Sequence, residues 1–154
     1  MKITTDCQIN APVAEVFEMF SDLQQLEEHV QAITRIELLT SGPVGVGTKF
    51  KETRVMFGKE SSEVMEISRF SPPEHLREEA HSHGMHYVSD WTFQEENGLT
   101  TVTITFSGQA QTLTAKLMRL MFSFMAGSMK KAFQNDMNDL KAKLEQPHSK
   151  DNLT

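Results

Sequence analysis

The chain opens with Lys2 to Ile9, where apolar and polar residues alternate with the period of two expected of a strand, read here as an edge strand. Asn10-Ala11-Pro12 then offers a helix start, with Pro12 in the first turn, where its missing N–H costs little. Val13, Val16, Phe17 and Phe20 recur at helical spacing and predict one short amphipathic helix. Ser21-Asp22 ends it, and Leu23, Leu26, Val30 and Ile33 predict a second. The middle of the chain is strand-like. Ile36 to Leu39 leads into the glycine-rich turn Ser41–Gly47, and Lys49 to Phe57 alternates, with Phe50, Glu52, Arg54 and Met56 on one face. Gly58-Lys59 turns the chain into Glu63 to Phe70, and Ser71-Pro-Pro73 interrupts that run. Leu76 to His83 and Tyr87 to Gln94 flank a turn at Gly84, and Asn97-Gly98 is a strong hairpin signal before Thr101 to Phe106.

The tail changes period. Leu113, Leu117, Leu120, Phe124, Met129, Phe133, Met137, Leu140 and Leu144 follow a 3.6-residue repeat, which predicts one helix from Leu113 to Leu144, about 48 Å long. Gly127 sits near its middle, where glycine costs about 1 kcal/mol relative to alanine. A close approach, a kink or simple tolerance would each account for it. Past Gln146 the sequence PHSKDNLT is polar and expected to fray, so residues 1–146 are expected to form a single domain with 147–154 as a disordered tail.

A strand, two short helices, six further antiparallel strands and one long helix make an α+β chain whose sheet cannot stay half-exposed. Its inner face would carry Trp91, Phe93, Val102, Ile104 and Phe106, and the long helix has the apolar stripe to cover them. Where a curved sheet and a helix diverge, a ligand pocket is expected. The carriers INAPVAEVFEMFSD, VGVGTKF, ISRFSPPEHL, WTFQEENGLTTVTITF and the long helix LTAKLMRLMFSFMAGSMKKAFQNDMNDLKAKLE occur in an order that resembles the SRPBCC superfamily. This is the START-like group with the helix-grip fold that includes polyketide cyclase-like proteins. The resemblance spans about Met1 to Leu144 and implies a sheet of about seven strands wrapped around the long helix, with a hydrophobic cavity between them. It also implies that the glycine loop lies over the cavity mouth. It does not imply one activity, since the superfamily includes carriers of lipids and quinones, cyclases, hydroxylase domains and activators of chaperone ATPases.

Face assignment sorts the candidate residues. Phe50, Met56, Met65, Tyr87, Ser89, Trp91, Phe93 and Phe106 are expected to line the cavity from the sheet, and Leu117, Met121, Phe124 and Met125 from the helix. Glu52, Arg54, Glu63 and Glu78 fall on inward faces. Such a carboxylate–arginine group either orients a polar ligand head, holds a shifted pKa, or forms salt bridges at the sheet rim. Glu52, Glu78 or Tyr87 beside Arg54 are the acid–base candidates if the protein is an enzyme. The stretch EAHSHGMHY holds His81, His83 and His86, which could in principle present three ligands to zinc or copper. The same register turns all three away from the cavity, and an exposed hairpin end gives a metal little support, so no metal site is expected.

Composition and charge narrow the classes. The chain has 154 residues, ten methionines and ten phenylalanines but one Trp and one Tyr; methionine fills cores and also lines adaptable cavities. A net charge of −6 argues against nucleic acid, or an anionic membrane, as the main partner. No apolar run is long enough to span a bilayer, MKITTDCQIN has no apolar leader, and Cys7 stands alone, all of which fit a reducing cytoplasm. Cys7 has no basic partner nearby in sequence and, as an edge-strand residue, is expected to be inert. There is no P-loop, GxGxxG or GxSxG, VGVGTKF enters a strand rather than a phosphate-binding helix, and no cofactor is expected. Nothing in the pattern specifies an oligomeric state. The leading expectation is a carrier for a small hydrophobic molecule such as a lipid, isoprenoid, quinone or aromatic polyketide. The alternatives are a cyclase or dehydratase acting on such a molecule, and a protein-interaction module.

Overall fold

The computed structural model of the chain describes residues 1–146, apart from the side chains of Met121 and Phe122; the polar tail from Pro147 onward lies outside the described residues. The elements are β1 (Lys2–Ile9), α1 (Val13–Ser21), α2 (Leu23–His29), β2 (Ile33–Leu38), β3 (Lys49–Met56), β4 (Lys59–Ser71), β5 (His75–Ser82), β6 (Met85–Glu96), β7 (Leu99–Ala110) and α3 (Leu113–Leu144). The strands form one antiparallel sheet in the order β1-β7-β6-β5-β4-β3-β2. The helices α1 and α2 carry the chain from one edge to the other, after which five hairpin connections return it to β1. The sheet curves around α3 in an α+β helix-grip arrangement.

Local chemistry explains the joints. Asp22 both ends α1 and caps α2, its carboxylate accepting from the backbone N–H groups of Gln24 and Gln25 at 3.0 and 3.3 Å. The helix stops at His29 because Val30 is extended (φ −85°, ψ 109°), so Ile33 opens β2 instead of closing a helix, while staying buried as its apolar pattern required. Three hairpins close through two-residue turns with positive φ at both positions: Phe57-Gly58, His83-Gly84 and Asn97-Gly98. Such turns match the twist of the flanking strands and favour glycine second. Gly84 also lies against the Thr112 side chain at the start of α3, so a Cβ there would clash with it.

Packing is uneven along α3. Its C-terminal half is embedded, with Met137 and Leu140 joining Val16, Phe17 and Phe20 of α1 and Phe50, Ile67, Leu76, Phe93, Val102 and Ile104 of the sheet. A smaller cluster of Ile3, Phe106 and Met129 sits further up the helix. In the N-terminal half Ala115 is buried, yet Leu113, Leu117, Leu120 and Phe124 face solvent. Gly127 has nothing within 4 Å of where a Cβ would lie, so neither close approach nor interruption accounts for it, and α3 runs unbroken past it.

Candidate functional site

Between the inner face of the sheet and α3 lies a cavity of about 330 Å³, at the small end of ligand pockets. Cross-strand register builds its wall: Met65 opposes Ala80, Ala80 opposes Tyr87, Glu78 opposes Ser89, and Ser89 opposes Phe106. Because alternate residues share a face, placing Leu76 in the core brings Glu78 and Ala80 inward with it. Met56, Met65, Tyr87, Ser89, Trp91, Phe106 and Met125 all line the cavity. Tyr87 stacks on Phe106 at 5.7 Å, and burial together with Glu63 raises its phenol pKa.

Four of the other expected lining residues lie elsewhere, and the side chain of Met121 is outside the described residues. Phe50 and Phe93 are fully buried in the main core instead; α1 fills the space in front of Phe93, which meets Phe17 and Phe20 edge-on at 5.2 and 5.6 Å. Leu117 and Phe124 are 79% and 87% exposed. At about 100° per residue the five-residue step from Phe124 to Met129 turns about 140° around the helix, so Leu117 and Phe124 lie on the side of α3 opposite the buried Met129 and Leu140. Residues 41–48 do not line the cavity; Val44 packs on the main core, and Gly47 N–H donates to the Ile67 carbonyl at 2.8 Å.

At the α3 side of the cavity floor is a charged group. Arg54 Nε donates to Glu52 Oε1 at 2.6 Å, and Arg54 Nη1 donates to Asp136 Oδ2 at 3.0 Å. The three side chains are only 11–16% exposed. Burial works against the Arg54 charge, but Glu52 and Asp136 outweigh it and hold the guanidinium protonated. Burial pushes the Asp136 carboxyl up to about 6 even though Arg54 opposes this. Glu78 faces the same space. Its remaining surface opens on the cavity instead of bulk water, and this desolvation, with the nearby Glu52 charge, pushes it up to about 7, against a Trp91 indole N–H that donates to it. Glu52, Arg54, Glu78 and Tyr87 therefore meet on one cavity. Asp136 is the member the sequence reading missed. Its signal was there: Asp136 falls between Phe133, Met137 and Leu140 on the buried face of α3, where a carboxylate requires a partner.

The histidines divide. His81 and His86 lie on the outer face, their rings stacked at 4.4 Å, and His86 Nε2 meets Glu79 at 2.8 Å. His83 does not follow them outward. As the first residue of the two-residue turn (φ 50°) it leaves the strand alternation and lies at the cavity edge. Among the described residues no three His, Cys, Asp or Glu side chains gather in a way that could hold a metal ion. Elsewhere on the outer face Asp90 binds His75 and accepts two bonds from Arg77, at 3.1 and 3.2 Å. Cys7 is half-buried and its thiol pKa is raised by that burial, which leaves little thiolate.

The family model for polyketide cyclase / dehydrase and lipid transport matches residues 1–145. The chain belongs to that family. It is thus an SRPBCC-superfamily protein with the hydrophobic ligand-binding architecture of that group. The sequence matches none of the curated proteins. Solved structures repeat the fold. A Thermus thermophilus protein, TTHA0849, superposes with a TM-score of 0.74 at 18% identity, covering 94% of this chain and 97% of its own. The major latex-like protein 151 of Panax ginseng gives 0.73 at 12% identity, with 94% and 97% covered. CV1439 from Chromobacterium violaceum gives 0.72 at 16%, with 95% and 98% covered. At these identities the likeness is one of fold. No helix among the described residues is long and apolar enough to cross a membrane.

Proposed function

We propose that residues 1–146 act as one ligand-binding domain, which holds a small, neutral hydrophobic molecule bearing a hydroxyl or carbonyl group, of isoprenoid, quinone or aromatic polyketide type. The observation that carries this reading is the charge balance of the cavity. Apolar walls from Met56, Met65, Trp91 and Phe106 share the cavity with five carboxyl groups, those of Glu52, Glu63, Glu78, Glu79 and Asp136, and one arginine. Arg54 already serves Glu52 and Asp136, so an anionic head would meet uncompensated carboxylates. A hydroxyl can donate to Glu52 or Asp136, and a carbonyl can accept from protonated Glu78. The volume suits one ring system or a short prenyl chain better than a two-tailed lipid.

The test uses Trp91, the only tryptophan of the chain, which lines the cavity. At pH 8, geraniol should change its emission saturably, whereas geranate, differing in its charged head, should bind at least about ten-fold more weakly, or 1.4 kcal/mol. Equal binding of the two, or no saturable response to either, overturns the reading.

Catalysis by Glu78 is the second reading, favoured by a carboxyl poised at about 7 beside Tyr87 and Arg54 on one cavity. In that case a cyclase or dehydratase substrate would lose or gain a proton at Glu78. Recovery of bound ligands unchanged after prolonged incubation defeats it.

A further inference from the structure

From its sequence and exposure, we infer that the N-terminal half of α3 is a docking face for an anionic membrane surface. Leu113, Leu117, Leu120 and Phe124 are spaced i, i+4, i+7 and i+11, which sets them in one stripe, and they are 83%, 79%, 73% and 87% exposed. Four large apolar side chains in one exposed row are more than isolated surface leucines, and they mark a contact surface. The opposite face of the helix is held, since Ala115 is buried and, past the stripe, Met129 packs on Ile3 and Phe106 of the sheet. The stripe therefore belongs to an anchored helix lying on the body of the protein.

Charge says what covers it. Residues 113–135 contain Lys116, Arg119, Lys130 and Lys131 and no aspartate or glutamate, in a chain whose net charge is −6. All four cations are exposed. Lys116 and Arg119, with Leu120 and Ser123, also line a cleft against Gly108–Ala110 at the end of β7, next to the stripe. An apolar row flanked by cations, with every acid excluded, matches a helix that lies in the plane of a bilayer surface with its apolar side among the acyl chains and its cations at anionic headgroups. The net charge of the whole chain, which argued against such a partner, hides this segregation. Met125, one residue past Phe124 and about 100° around the helix, lines the cavity. Docking would thus set the cavity one helix away from a surface in which neutral hydrophobic molecules dissolve. That last step rests on the ligand reading above, whereas docking itself does not.

The experiment is flotation of the full chain, without ligand, on vesicles of phosphatidylcholine with about 30 mol% phosphatidylserine and on pure phosphatidylcholine vesicles. Binding to the anionic vesicles is expected, weaker by about ten-fold on the neutral ones and reduced in about 0.5 M NaCl. Leu113→Gln/Leu120→Gln should lower it at least about ten-fold while keeping the melting temperature and the Trp91 response to geraniol, since both residues are exposed. Absence of flotation, or equal flotation of the double variant, overturns the proposal. A concentration-dependent dimer that the double variant abolishes, without vesicle binding, assigns the face to a second copy of the chain and overturns it too. Loss of the geraniol response with flotation intact would strike the ligand reading alone.

Discussion

Glu78 gives the site a pH signature. Its carboxyl is held at about 7, against 4.5 in an unconstrained chain, because burial and the Glu52 charge both disfavour the anion. Between those values the unfolded chain has released a proton that the folded one retains, so stability falls as pH rises through this window. Asp136, raised to about 6, pulls in the same direction. Glu78→Gln removes the charge while keeping an acceptor for the Trp91 indole. Urea denaturation should show the variant more stable than wild type by about 3 kcal/mol at pH 8 and indistinguishable at pH 4. A difference independent of pH would contradict the placement of Glu78. Removing the cation has the opposite sign: Arg54→Met leaves Glu52 and Asp136 buried without a partner and should cost about 3 kcal/mol at pH 8, less at pH 5, in the same denaturation assay. Most of this group was legible, because alternation along β3 and β5 set Glu52, Arg54 and Glu78 on inward faces. Asp136 was not, because a helical stripe recognised by its apolar members conceals the polar one. His83 escaped for a different reason: a side chain in a tight turn obeys neither strand period nor helix period.

Among the elements, α3 was readable to both ends, since a long 3.6-residue period bounded by Thr112 as cap and a polar tail leaves little choice. The Asn97-Gly98 turn was equally plain. Strand ends were harder to read. β4 begins at Lys59 with five polar or charged residues, and β7 runs on to Ala110, because pairing with neighbours carries a strand beyond the reach of its apolar pattern. The α2–β2 boundary misled for the reverse reason, as Ile33 serves the core as well from a strand as from a helix. In α3 the apolar residues fall on two faces, and grouping them as one period hid the five-residue step after Phe124; hence Leu117 and Phe124 lie outside the cavity. Gly127 yields a prediction at this scale. With open space around it, Gly127→Ala should raise stability by about 1 kcal/mol in thermal or urea unfolding, and a loss would mean that α3 must bend there.

For the molecule as a whole, the order of elements was enough to read the helix-grip fold, because a strand, two short helices, a six-stranded meander and a long helix admit few other packings. Cavity volume and charge were not readable, since both depend on how far α3 diverges from the sheet and on which polar residues meet across that gap. In the function proposed above, this gap holds one neutral hydrophobic molecule at the Glu52–Arg54–Asp136–Glu78 group. Native mass spectrometry of the detergent-free protein, alone and with a panel of isoprenoid alcohols, quinones and phenolic aromatics, tests it most directly. The expected result is a one-to-one complex with a neutral member of that panel, lost when Ala80→Trp fills the cavity it lines. No complex with any neutral compound, or a complex that survives Ala80→Trp unchanged, would contradict it.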